Sequence, residues 1–156
     1  MKIFYNLLII SLLSSCMTTK NVVNNRVYAL RLRPGQDLKK EIMAFVKENN
    51  IKSGYIITCV GSLKKATLRL ANQPNPTTWE DKFEIVSLVG TLSSESGAHL
   101  HASISDGTGK TIGGHLMDDN LVYTTAEIVI GEVLDLKFSR KVDSITTYKE
   151  LFIEKN

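Results

Sequence analysis

The chain has 156 residues, 43% of them apolar and 22% charged, and carries a formal net charge of +3. That length and apolar content suit a single domain with one ordinary core and exclude an intrinsically disordered chain. Acids are interspersed among the basic residues, and Lys39-Lys40 and Lys64-Lys65 are pairs that read as solvated surface, so the sequence lacks the basic stripe of a dedicated nucleic-acid binder.

Residues 1–15 read as a lipoprotein-type signal peptide. Lys2 supplies a short basic region and Ile3 to Leu13 an apolar run of 11 residues. At about 1.5 Å rise each, such a run is too short to cross roughly 30 Å of hydrocarbon, and a secretory signal fits better. Leu13-Ser14-Ser15-Cys16 resembles a bacterial lipobox, in which an aliphatic and two small residues precede a cysteine whose thiol takes the lipid. The expectation is a lipidated Cys16, a polar tether over residues 16–25, and a domain over 26–156 held at a membrane of the bacterial cell envelope, facing the periplasm or exterior. Cys59, in the apolar run YIITCVG, then has no intrachain partner and reads as a buried inert thiol.

RVYALRLRP, residues 26–34, alternates with a β period and stops at Pro34-Gly35. In QDLKKEIMAFVKENN, residues Leu38, Ile42, Phe45 and Val46 share one helical face, with Asp37 as N-cap and Asn49-Asn50 as the stop. SGYIITCVGSL and KATLRLAN follow as one or two strands around Gly61. PNPTTWED reads as a loop because of its two prolines. KFEIVSLVGTLSS, AHLHASISD, TIGGHL, AEIVIGEVLDLKFSRKV and YKELFIE are each strand candidates, and SDGTGK is a Gly-rich hairpin turn. One helix followed by hairpin-linked strands predicts a compact α+β domain with a largely antiparallel sheet and one main amphipathic helix.

All three histidines fall within HLHASISDGTGKTIGGHL, residues 99–116. GTGKT resembles the end of a phosphate-binding loop, but G-x-x-x-x-G-K-[ST] requires glycine where Ile104 stands, and glycines rather than a helix follow. On a strand, His99 and His101 point to the same face. A hairpin centred near Gly107-Thr108 pairs His101 with Gly114 and brings His115 alongside, although a slip of one residue reverses the face of His115. Three imidazoles with a free fourth position form an open zinc-type site, and nickel, copper or ferrous iron accept the same donors. Gly113 and Gly114 clear side chains from beside His115. H-x-H alone is also what a partly buried polar strand carries. No nucleophile, triad or paired carboxylates accompany the histidines, so a non-catalytic module stands beside an enzyme as a reading.

YALRLRPGQDLKKEI, GYIITCVGSLKKATLRLAN, KFEIVSLVGTLSSESGAHLHASISDGTGKTIGGHL and TTAEIVIGEVLDLKFSRKVDSITTYKELFI, in this order, resemble a bacterial stand-alone PPC domain, the "plants and prokaryotes conserved" module. The resemblance spans residues 26–153. FEIVSLVGTLS corresponds to the family's Gly-Arg-Phe-Glu-Ile-Leu core, with Asp81-Lys82 here in place of Gly-Arg. The resemblance implies an α+β subunit that assembles as a homotrimer. It also implies a divalent metal, zinc foremost, on His99, His101 and His115, which fall on the bacterial H-x-H…G-G-H positions. Glu127 matches a further signature position, as a carboxylate ligand, an acid/base or a structural acceptor. Such a protein binds or transforms a small ligand. The alternatives are a non-catalytic oligomeric interaction module and the DNA-binding role with which the family is often labelled. No AT-hook core is present, and a nucleic-acid partner is not expected.

Overall fold

The computed structural model describes residues 24–156. The expected signal peptide, lipidated Cys16 and most of the tether therefore lie outside the described residues. No helix of the described residues is long and apolar enough to cross a membrane.

Strand β1 (Asn25–Leu32) ends just before Pro34-Gly35, where Gly35 takes φ 85°. Helix α1 (Leu38–Glu48) buries Leu38, Ile42 and Val46. Its N-cap is Asp37, whose Oδ1 accepts from the N–H groups of Lys39 and Lys40 at 3.1 Å each. The second carboxylate oxygen accepts from the Asp119 N–H at 2.6 Å, tying the start of the helix to a distant turn. Asn49 caps the other end and Asn50 turns the chain with φ 51°. Cap, apolar stripe and stop are those expected from the sequence.

The expected strands around Gly61 are one, β2 (Gly54–Arg69), irregular where Gly61 adopts φ 146°. The segment read as a proline loop contains a short strand, β3 (Thr77–Trp79), paired with Ala66–Leu68. Pro74 and Pro76 precede it and so remove no ladder donor. β4 (Phe83–Ser93), β5 (Gly97–Ser105), β6 (Thr111–Leu116) and β7 (Leu121–Val133) follow. AEIVIGEVLDLKFSRKV is not continuous: after β7 the chain turns at Leu134-Asp135 into β8 (Leu136–Val142), which pairs with β9 (Lys149–Lys155).

Every pairing is antiparallel, and the main sheet runs β1-β7-β2-β4-β5-β6. The end of β2 also pairs with β6, Leu68 opposite Leu116 and Arg69 opposite His115. Strands β2, β4, β5 and β6 therefore close into a ring. Leu63, Leu68, Leu100, Ile104 and Leu116 are buried in one core that also receives the helix stripe. This mostly antiparallel sheet with a single helix is the expected arrangement, with strands dominating. Buried Asn120 holds the closure: its Oδ1 accepts from the Thr67 N–H at 2.8 Å, and its Nδ2 donates to the Met117 carbonyl at 2.7 Å.

Outside the histidine hairpin, two glycines are required by close approach to backbone. A Cβ on Gly61, at φ +146°, would lie 2.1 Å from the Thr125 carbonyl oxygen. One on Gly90, at φ +140°, would lie 1.9 Å from the carbonyl oxygen of His99. Gly90→Ala is expected to cost roughly 2–3 kcal/mol by combining strain and collision. Denaturant unfolding at neutral pH measures it, and a loss within experimental error would contradict the close β4–β5 contact.

Candidate metal centre

The hairpin turn sets the geometry of the histidines. Asp106 accepts on Oδ1 from the Thr108 N–H at 2.9 Å and the Lys110 N–H at 3.1 Å, while the Gly109 N–H donates to its carbonyl at 2.9 Å. The loop therefore centres on Thr108 rather than between Gly107 and Thr108, and His101 lies opposite His115, not Gly114. Directly opposed residues project to the same face, so this register is the one that brings the rings together.

The three rings meet. Ring centroids are 5.1 Å apart for His99–His101 and His99–His115, and 5.5 Å for His101–His115. One ring nitrogen from each lies within 4.8 Å of the others. The Nε2 atoms of His99 and His101 are 3.2 Å apart. Nitrogens bound tetrahedrally to zinc at 2.0–2.1 Å are about 3.3 Å apart. An N–H···N hydrogen bond suits the same separation, so His115 is more telling. Its Nδ1 is buried with no hydrogen-bond partner, a condition costing about 1–3 kcal/mol that a ligated cation or its water would relieve.

The protonation chemistry also fits a metal. Burial, then the positive charge of Arg140 and the neighbouring His101, holds the pKa of His99 below its ordinary value. Burial, then His99 and Arg69, pushes His115 down to about 4. Both imidazoles are neutral at pH 7 and keep the lone pairs that ligation needs. The donor set of three imidazole nitrogens fits zinc with an open fourth position.

The glycines act as the sequence suggested. A Cβ on Gly114 would stand 2.7 Å from the Arg69 carbonyl oxygen, so only glycine lets β6 close on the end of β2. Arg69, opposite His115, thereby joins the site, a residue that sequence reasoning missed. Arg140, on β8, was missed as well; with Arg69, His99 and His115 it lines a cleft of about 730 Å³. No signal in the sequence places either, because both depend on strand pairings distant in the chain. Glu127 is not brought to the three histidines. It is exposed on β7 between Arg31 of β1 and Val60 of β2, and lines a separate groove. Cys59 is buried, and burial pushes its thiol up to about 12, which makes it inert as expected.

Comparison with known proteins agrees with this framework. The sequence matches the Plants and Prokaryotes Conserved domain, abbreviated PCC or PPC, over residues 19–134. The chain belongs to this family. The matched span ends before the β8–β9 hairpin, which the resemblance read from the sequence had included. The bifunctional protein GlmU of Synechococcus sp. (strain JA-3-3Ab) is 48% identical over 130 residues, covering 83% of this chain. This chain spans about a fifth (21%) of that protein's length. A hypothetical protein from Salmonella is 43% identical with a TM-score of 0.84, over 87% of this chain and 98% of the other. A metal-containing protein from Archaeoglobus fulgidus is 26% identical with a TM-score of 0.70, over 83% of this chain and 94% of the other.

Neutral His115 makes stability depend on pH. The unfolded chain protonates it near its ordinary value of about 6.5, whereas the folded chain keeps it neutral down to about 4. Its contribution is full above the higher value and is lost as pH falls toward the lower one. Metal-free wild type is expected to lose more thermal stability than His115→Gln on going from about pH 7 to pH 5. Parallel melting curves in chelator would contradict the burial assigned to the ring.

Proposed function

We propose that this chain is an envelope-anchored homotrimeric metalloprotein whose three-histidine site binds or transforms a small ligand. The observation that carries the reading is the convergence of His99, His101 and His115, with a buried nitrogen left unpartnered. Zinc is the proposed ion, and Lewis-acid polarisation of an oxygen ligand is the chemistry that it supplies when bound. The metal-containing relative from Archaeoglobus fulgidus supports the choice of a metal over a purely structural histidine cluster.

An apolar sheet face supports the trimer. Val27 on β1, Val60 on β2, and Val86 and Val89 on β4 are all exposed, Val60 and Val89 each at 55%. An interface would take these exposed apolar side chains out of water. Val89 lies opposite His101, so a subunit seated on this face would also wall the metal site. Glu127 lies in line with Val60 on the same face, and any role it has at a metal belongs to a neighbouring subunit's site. The alternative, a non-catalytic oligomeric interaction module, shares this face and leaves the histidines structural or binding a ligand.

Wild-type protein is expected to carry one divalent metal per subunit and the solution mass of three subunits. His101→Ala should keep that mass while binding metal at least about a hundredfold more weakly, since losing a ligand costs more than losing its outer support. Elemental analysis with light scattering reads both, and equal near-zero metal in the two proteins would leave the non-catalytic module. For the anchor, labelled fatty acid should enter the wild-type chain in bacteria and be absent from Cys16→Ser. Unlabelled wild type would exclude lipidation.

A further inference from the structure

Strand register puts Arg69 beside the imidazoles. It stands opposite His115, which stands opposite His101, and opposed residues share a face across all three strands. Arg140 reaches the same cleft from the hairpin. Phe138 anchors β8: it is buried, its N–H donates to the Lys52 carbonyl at 2.9 Å, and its carbonyl accepts from Ser96 Oγ at 3.2 Å. The ion pair of Lys137 with Glu95, at 2.6 Å, pins the same end. Two residues along the strand, Arg140 faces the same way as Phe138, toward the main sheet and His99.

Among the described residues, neither arginine is in an ion pair with a carboxylate. Lys149 adds a third cation to the cleft wall. Glu150 is the only acid among the lining residues, and its Oε1 accepts from the Thr146 hydroxyl at 3.1 Å. Three neutral imidazoles would leave a divalent metal its whole charge, so metal and arginines repel one another until an anion enters.

We propose that the cleft between the histidines and the β8–β9 hairpin receives a small oxyanion, a carboxylate or phosphate group, with Arg69 and Arg140 as its recognition pair. This rests on reading the histidines as a metal site and adds the ligand's chemical class. With a metal held by the histidines, its open position would accept one anion oxygen, and Arg69 and Arg140 would hold the others through charge-assisted hydrogen bonds. The hairpin lies beyond the family-matched span, and Arg140 is the specificity element that it adds to the cleft.

Cobalt(II)-loaded protein, titrated separately with oxalate and with inorganic phosphate, tests this through the visible absorption of cobalt. At least one anion should shift the spectrum saturably, and the arm that binds more tightly identifies carboxylate or phosphate. Arg69→Gln and Arg140→Gln should each weaken that binding about tenfold or more, with cobalt content and melting temperature unchanged, and Arg140→Lys should recover part of the loss. Unchanged anion affinity in both glutamine variants, or no response to either anion in protein shown to hold cobalt, would overturn the proposal. Failure of wild type to take up cobalt would instead overturn the metal reading beneath it.

Discussion

The return of β6 onto the end of β2 is the contact on which the site depends. Gly114 passes so close to the Arg69 carbonyl that any side chain there would collide with backbone. That contact closes four strands into a ring and places Arg69, His115 and His101 in one line across three strands. Without it β6 would be a free edge, and His115 would have no fixed relation to the rings on β5. Asn120 locks the closure from within, and Asp37 couples it to the helix through the Asp119 backbone. One set of backbone contacts therefore links core, helix start and site.

Electrostatics then decide what the site can hold. Burial keeps His99 and His115 neutral, so the cluster presents lone pairs rather than cations. Arg69, Arg140 and Lys149 supply positive charge beside those lone pairs, with Glu150 the one acid among the lining residues. A cluster of imidazole nitrogens rimmed by guanidiniums suits a metal and an anion together better than either alone. The exposed valines on β1, β2 and β4 include Val89, opposite the exposed His101, so the face proposed for assembly adjoins the site.

Much of this was legible in the sequence because it rests on short-range chemistry. The helix followed from Asp37, the Leu38–Ile42–Val46 stripe and Asn49-Asn50, and the β6 limits followed from TIGGHL. The histidine hairpin was legible too, but its register was one residue off. The centre of the turn depends on which N–H groups the Asp106 carboxylate collects, and composition does not specify that. β3 was hidden because prolines suppress a strand only where they stand within it. The long AEIV…RKV run hid a change of direction at Leu134-Asp135, where apolar residues continue on both sides. Arg69 and Arg140 were invisible as site residues, since one depends on the β2–β6 closure and the other on docking of the β8–β9 hairpin. Glu127 was singled out by resemblance alone, and the fold places it on the apolar sheet face.

The central claim is that one ion sits where three imidazole nitrogens meet. Anomalous diffraction at the absorption edge of the metal found in the protein measures this directly. A single anomalous peak per chain is expected, bonded to nitrogens of His99, His101 and His115 at about 2.0–2.1 Å. A peak elsewhere, or none in protein that carries stoichiometric metal, would contradict it.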